Sequence, residues 1–171
     1  MDEIAAASGV SKMTVYSYFP TKEALYTATV VSTIDRGLPA EAIGQLDPRQ
    51  PAASLTQIGL AIVRLMRQDD VLGCHRAVIG SSSQYADLAA QFYDVGPARI
   101  VGDVAKFLQA AKSAGSLDLP HVQQAADQFV SLYCNLDHWR SVLSMPKPTE
   151  RQDRALVKSN VDFFMRAYRP R

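Results

Sequence analysis

Long apolar runs, clustered cysteines and strand-like alternation are all missing from this chain of 171 residues, and each absence removes a class of answer. Uninterrupted apolar stretches extend only a few residues, far short of the ~20 that a membrane-crossing helix needs. The N-terminus has no charged-then-apolar layout of a secretory signal, so the chain is expected in the cytoplasm with no membrane partner. Cysteine occurs only twice, at Cys74 and Cys134, which excludes a disulfide framework and a CxxC metal knuckle. Both thiols are expected to act as small buried hydrophobes. The formal net charge of +1 is silent about nucleic acid, because DNA binding depends on a local basic patch. There is no Gly-x-Ser-x-Gly elbow, phosphate-binding loop or dinucleotide fingerprint, and no pair of Glu-x-x-His motifs of the kind a helical carboxylate-bridged metal oxidase requires. An enzyme is not expected, nor is a cofactor.

What the chain does contain is 47% apolar and 20% charged side chains, the makeup of an ordinary globular protein. Apolar residues recur at spacings of three and four throughout, which predicts an all-α fold. The first helices fit Asp2 to Ser8 and Lys12 to Phe19. Thr21 is placed to cap a helix from Lys22 towards Leu46, broken or bent at Gly37-Leu38-Pro39. Further helices fit Ala52 to Arg67, Val71 to Gly80 and Tyr85 to Asp94. Gly96-Pro97 then marks a break, with Pro97 in the first turn of a helix ending near Gly115. Pro120 opens a helix reaching to about Leu143. After Pro146-Lys147-Pro148, Thr149 and Gln152 have capping-box spacing and start a last helix ending near Tyr168.

The most specific segment is MDEIAAASGVSKMTVYSYFPTKEALY. Gly9 sits where two short helices must reverse direction, a position that favours positive φ. Ala5 is small where the pair crosses, and Ile4, Val10, Val15 and Phe19 are expected to face inward. Ser11 caps the second helix, which leaves Lys12, Met13, Thr14, Ser17 and Tyr18 on the outer side. Hydroxyls, aromatic rings and a lysine are groups that reach phosphates, base edges and thymine methyls, and Lys22 at the next helix start can neutralise a phosphate.

The pattern IAxxxGVSxxTVYxYFxxKExL, from Ile4 to Leu25, closely resembles the helix-turn-helix of the tetracycline-repressor (TetR) family. The resemblance implies that Thr14, Tyr16, Tyr18 and Lys22 touch DNA, mostly its backbone, and that Lys12 and Met13 vary with operator sequence. Ser11, Lys12, Met13, Thr14, Tyr16, Ser17, Tyr18 and Lys22 are therefore the expected DNA-binding set. The run ADLAAQFYDVGPARIVGDVAKFLQAAKSAGSL resembles a subgroup of the family's C-terminal domains, often found in regulators near multidrug-efflux and stress genes. The implied division is a helix-turn-helix domain over residues 1–27 and a ligand-binding and dimerisation domain over residues 28–171. The implied role is a regulator, commonly a repressor, released by a small-molecule effector.

The family's DNA-binding domain begins with an additional helix and a basic arm, whereas this sequence starts at the second helix. Residues 1–26 carry two lysines against Asp2, Glu3 and Glu23, a local charge of −1, wrong-signed for a phosphate surface. Two readings follow: a truncated N-terminus, which is favoured because the rest of the motif is intact, or a ligand-binding helical dimer that no longer binds DNA on its own.

The last two helices carry apolar residues on more than one side. Val122, Ala126, Phe129, Tyr133 and Leu136 form one stripe, widened by Ala125, Leu132, Trp139 and Leu143. Val157, Val161, Phe164 and Tyr168 form another, with Leu156 and Phe163 beside it. Two such hairpins can build a four-helix homodimer interface, as known in the family, and Leu132, Trp139, Val157, Val161, Phe164 and Tyr168 are the expected contacts. Two recognition helices about one DNA turn (~34 Å) apart would match a palindromic operator in double-stranded DNA. The pocket for an apolar or aromatic effector is expected among Leu65, Met66, Phe92, Tyr93, Phe107, Phe129 and Tyr133. His75, His121 and His138 do not form a metal-ligand pattern, since Cys74-His75 and Asp137-His138 are adjacent residues that diverge on a helix.

Overall fold

The computed structural model describes residues 1–170; Arg171, the last residue of the predicted C-terminal domain, lies outside them. Among the described residues the chain forms eleven α-helices, one π-helical turn and no strand. The first two helices, α1 (Asp2–Ser8) and α2 (Lys12–Tyr18), meet across Gly9, whose φ of 67° is the left-handed conformation that only glycine takes freely. Thr21 then accepts a hydrogen bond from the Ala24 N–H and opens α3 (Lys22–Gly37). This helix runs without interruption through residue 27, the predicted domain division. At Gly37 a Cβ would lie 2.9 Å from Leu65 Cδ1, so the missing side chain lets α3 pass close to the neighbouring helix. The chain breaks where expected, at Leu38-Pro39, before the short α4 (Ala40–Gly44).

Pro51 occupies the first turn of α5 (Pro51–Met66), where its missing N–H is harmless. Then follow α6 (Asp69–Ser81) and α7 (Ala86–Tyr93). The predicted break at Gly96-Pro97 does not occur. A π-helical turn, Asp94–Ala98, carries Pro97 inside it and runs directly into α8 (Arg99–Ser113). The wider π turn accommodates a residue that has no N–H and would crowd the carbonyl one turn back in a regular helix. A second correction concerns the helix predicted from Pro120 to Leu143. It is two helices, α9 (Val122–Ser131) and α10 (Leu136–Val142), because the Asn135 side chain accepts from the His138 N–H and caps the start of a new helix. The last helix, α11 (Glu150–Tyr168), begins with the predicted capping box: Thr149 Oγ1 accepts from the Gln152 N–H, and Gln152 Oε1 accepts from the Thr149 N–H at 2.8 Å.

The packing is set by apolar stripes. Helix α5 lies against α11, α8 against α9, and α6 against α10, with α3 crossing α5, α7 and the π turn. One core runs through them, with Leu55, Ile58, Leu108, Phe129, Tyr133 and Val157 at its centre. Phe129 meets Tyr133 and Phe164 edge-on, with ring centroids 5.5 and 5.2 Å apart. A largely buried ion pair, Arg67 to Asp153 at 3.1 Å, ties α5 to α11. No helix among the described residues is long and apolar enough to cross a membrane.

Candidate nucleic-acid interface and effector cavity

Two places in the molecule can carry function: the open face of α2, and a cavity between α3 and the helices that follow. On α2 the local geometry follows from its cap. Ser11 Oγ accepts from the Thr14 N–H at 3.0 Å and pairs with Thr14 Oγ1 at 2.8 Å, while Ser17 Oγ donates to the Thr14 carbonyl. Ser11 is thus occupied as a helix cap. Val15 alone of the helix is buried, and the expected DNA-binding set, Ser11, Lys12, Met13, Thr14, Tyr16, Ser17, Tyr18 and Lys22, is exposed throughout. Met13 and Tyr18 are 84% and 76% exposed.

Two of the four residues expected to pack inward do not. Ile4 and Val10 are exposed, Phe19 is half-buried and only Val15 is enclosed, because the described helices leave that side of the α1–α2 pair open. Lys12 is also engaged: its Nζ donates to Asp2 Oδ1 at 2.7 Å, which holds the Asp2 carboxyl below the usual range and the ammonium above its own.

The cavity has a volume of about 460 Å³, within the roughly 300–1,000 Å³ typical of small-molecule sites. One wall is α3, through Tyr26, Thr29, Val30, Thr33 and Ile34. The opposite walls come from α5 and α6, and the end is closed by Phe92, the π turn, Ile100, Val130 and Cys134, with His138 at the head of α10. Of the seven residues expected to form the pocket, Leu65, Met66 and Phe92 line it. The other four do not. Phe107, Phe129 and Tyr133 are buried in the central core, where their apolar stripes meet α9 and α11, and Tyr93 is turned out to solvent.

Side chains that sequence reasoning did not assign to the pocket supply its polar character. Tyr26 Oη and Cys74 Sγ lie 3.0 Å apart, and burial with that contact pushes the phenol well above its ordinary range. His75 and His138 stand edge to face, with ring centroids 5.4 Å apart. Burial lowers the pKa of both imidazoles; His138, which also faces His75 and Arg67, falls to about 4. The two histidines converge from different helices, yet among the described residues no group of three or more His, Cys, Asp or Glu side chains is placed to hold a metal ion.

The expected dimer contacts also divide. Val157, Val161 and Phe164 are at most 3% exposed, enclosed by the chain's own core, and so are not free to meet a partner. Tyr168 is half-buried and donates to Gln128 Oε1 at 2.6 Å, and Leu132 is half-buried. Only Trp139 of the set is open, and it lies in a group of exposed apolar residues with Leu136, Leu143 and Met145; Phe163 on α11 is open as well.

Comparison with known proteins bears on both places. Residues 1–29 match the family model described as bacterial regulatory proteins, tetR family. Residues 53–170 match the model described as AefR-like transcriptional repressor, C-terminal domain. No curated protein matches the sequence. Among solved structures, a TetR-family transcriptional regulator from Mesorhizobium loti superposes with a TM-score of 0.83 at 19% identity, covering 98% of this chain and 85% of that one. The flavonoid-responsive regulator FrrA is 30% identical, with a TM-score of 0.73 over 100% of this chain and 87% of its own. A TetR family regulator from Pseudomonas syringae pv. tomato is 26% identical, with a TM-score of 0.70 over 98% of this chain and 84% of its own.

Proposed function

The chain belongs to the TetR family of transcriptional regulators, and from that premise we propose that it is a cytoplasmic repressor, released from a palindromic operator by a small molecule held in the cavity beside α3. Members of this family are DNA-binding regulators rather than enzymes. The observation that carries the finer reading is the course of α3. Lys22, beside the recognition surface, and Tyr26, Thr29, Val30 and Thr33, on the cavity wall, belong to one uninterrupted helix. A molecule that fills the cavity pushes on the same rigid element that positions the DNA-binding residues. It shifts the equilibrium only so far as it binds one placement of α3 better than the other.

We place the division between the two functions at residue 27, within this helix. The exposed face of α2 supplies the groove contacts, with Thr14, Tyr16, Tyr18 and Lys22 on the backbone and Lys12 and Met13 towards the bases. Trp139, Leu136, Leu143 and Phe163 are open apolar groups, and we assign them to a homodimer interface in place of the buried Val157, Val161 and Phe164. The apolar walls suit an apolar or aromatic effector, and the relative FrrA responds to flavonoids.

The test is a salt-titrated DNA-binding measurement on DNA from around the chain's own gene, with the unaltered protein and Lys22→Ala. Binding that weakens steeply with salt, with a slope reduced by about one in the variant, supports the reading. Absence of binding under all conditions would leave a helical dimer that binds ligand without DNA.

A further inference from the structure

The polar end of the cavity is made by two imidazoles with unusual freedom. His138 is only 7% exposed, and among the described residues neither of its ring nitrogens bonds to protein; Nδ1 is sealed with no partner. Its helix is firmly started, because Asn135 accepts from the His138 N–H at 3.1 Å, so the ring is presented from a capped end. His75 stands edge to face with it and also meets Phe92, with ring centroids 5.6 Å apart. With Nδ1 sealed off, Nε2, which also has no protein partner and is not sealed, is the ring nitrogen left to hydrogen-bond whatever fills the space beside it. A neutral imidazole offers one donor and one acceptor, and which nitrogen carries the proton differs between tautomers. A hydroxyl, which both donates and accepts, satisfies either tautomer; a carbonyl or a protonated amine satisfies one.

Charge narrows the choice further. Among the described residues no lysine or arginine lines the cavity, and the one lining carboxylate is Asp70. A ligand carboxylate would be desolvated beside a like charge, and Arg67, the cation whose charge reaches His138, is already paired with Asp153 at 3.1 Å. The remaining walls, among them Val30, Ile34, Leu65 and Ile100, are apolar, and Tyr26 and Phe92 offer ring faces or edges to a flat molecule.

We infer that the effector is a neutral phenol of two or three rings, anchored by a hydroxyl on His138 and packed against His75, and that the cavity rejects carboxylated analogues. This rests on the reading of the cavity as the effector site. It adds which atoms hold the ligand and which charge the ligand carries.

The experiment is calorimetric titration of the full chain with apigenin, a trihydroxyflavone; with flavone, its unhydroxylated parent; with a flavone carboxylic acid; and with berberine, a flat lipophilic cation. Apigenin is expected to bind at least about tenfold tighter than flavone and than the acid. In His138→Phe the gap between apigenin and flavone closes to about threefold or less, with flavone affinity nearly unchanged. In His138→Gln, which keeps a donor and an acceptor, the gap persists. Should His138→Phe fail to fold by its thermal melt, apigenin against its fully methylated ether on the unaltered protein decides the same point, since the ether cannot donate.

Equal binding of apigenin and flavone, an undiminished gap in a folded His138→Phe, tightest binding by berberine or the acid, or no binding of any flavone overturns the inference. The two readings fail separately. If berberine or flavone releases the operator, the regulator reading stands and the phenol anchor falls. If DNA is never bound, the regulator reading falls while the calorimetry still decides the anchor.

Discussion

The phenol of Tyr133 lies directly over the bare Cα of Gly59: a methyl group there would sit 2.2 Å from the Tyr133 hydroxyl, 2.9 Å from its ring carbon Cζ and 3.0 Å from Val157 Cγ1. Glycine at this position lets α5, α11 and the turn after α9 close on one another at the centre of the core. Buried there, the hydroxyl has no hydrogen-bond partner among the described residues.

Gly59→Ala is therefore expected to lower stability by about 1–3 kcal/mol, the usual cost of overpacking a core. Tyr133→Phe, which removes a buried hydroxyl without a partner, is expected to leave stability unchanged or raise it by about 1 kcal/mol. The double variant should recover part of the Gly59→Ala loss, because the tightest contact is to the hydroxyl. Urea unfolding of all four proteins at one protein concentration closes the cycle. Additive losses would show that backbone movement, rather than the Gly59–Tyr133 contact, sets the cost.

Stability should fall on mild acidification. The unfolded chain protonates its histidines near their ordinary value of 6.5, whereas in the folded protein burial lowers His75 and takes His138 to about 4. Folding therefore excludes protons: the stability present above pH ~6.5 declines as pH drops through the window down to about 4. His138→Phe should flatten that part of the profile. Thermal melts between those limits measure it, and an unchanged slope in the variant would assign the acid sensitivity elsewhere.

If Lys12 meets DNA as proposed, Asp2 competes for it. The Asp2–Lys12 ion pair is exposed, and its carboxylate adds negative charge beside the proposed DNA-binding surface. Asp2→Asn is expected to tighten operator binding several-fold at low salt, with the advantage shrinking as salt rises. Equal affinities of the two proteins across the salt series would mean that Lys12 stays clear of the phosphates.

Neighbouring phenylalanines on α11 should have opposite effects. Phe163 is 58% exposed and Phe164 only 2%. Phe163→Asp is expected to yield a folded monomer, read by sedimentation and circular dichroism together. Phe164→Asp is expected to unfold the chain, because it buries a charge without a partner. A Phe163→Asp protein that remains dimeric would move the interface to the Leu136–Trp139–Leu143 face alone.

The helix-turn-helix was legible in the amino-acid sequence because its determinants are local. Gly9 needs a positive φ, Ser11 and Thr21 cap the helices that follow them, and Thr149 with Gln152 closes a capping box. Each is a relation between residues at most a few positions apart, and backbone geometry enforces it whatever the rest of the chain does. The all-helical class and most helix limits follow from the same short-range periodicity. The exceptions are the Pro97 π turn and the new start at Asn135, where a local signal, a proline inside a helix and an asparagine cap, resolved differently from the expected break and the expected continuous helix.

The cavity and the exposed faces belong to tertiary structure. Phe92, Phe107 and Phe129 look alike as apolar positions on amphipathic helices, yet one lines the cavity and two fill the core. His75 and His138, each paired in sequence with a neighbour that points elsewhere, become partners only when α6 packs on α10. An amphipathic pattern specifies that a side chain turns inward; what it meets there depends on how all the helices share one close-packed interior.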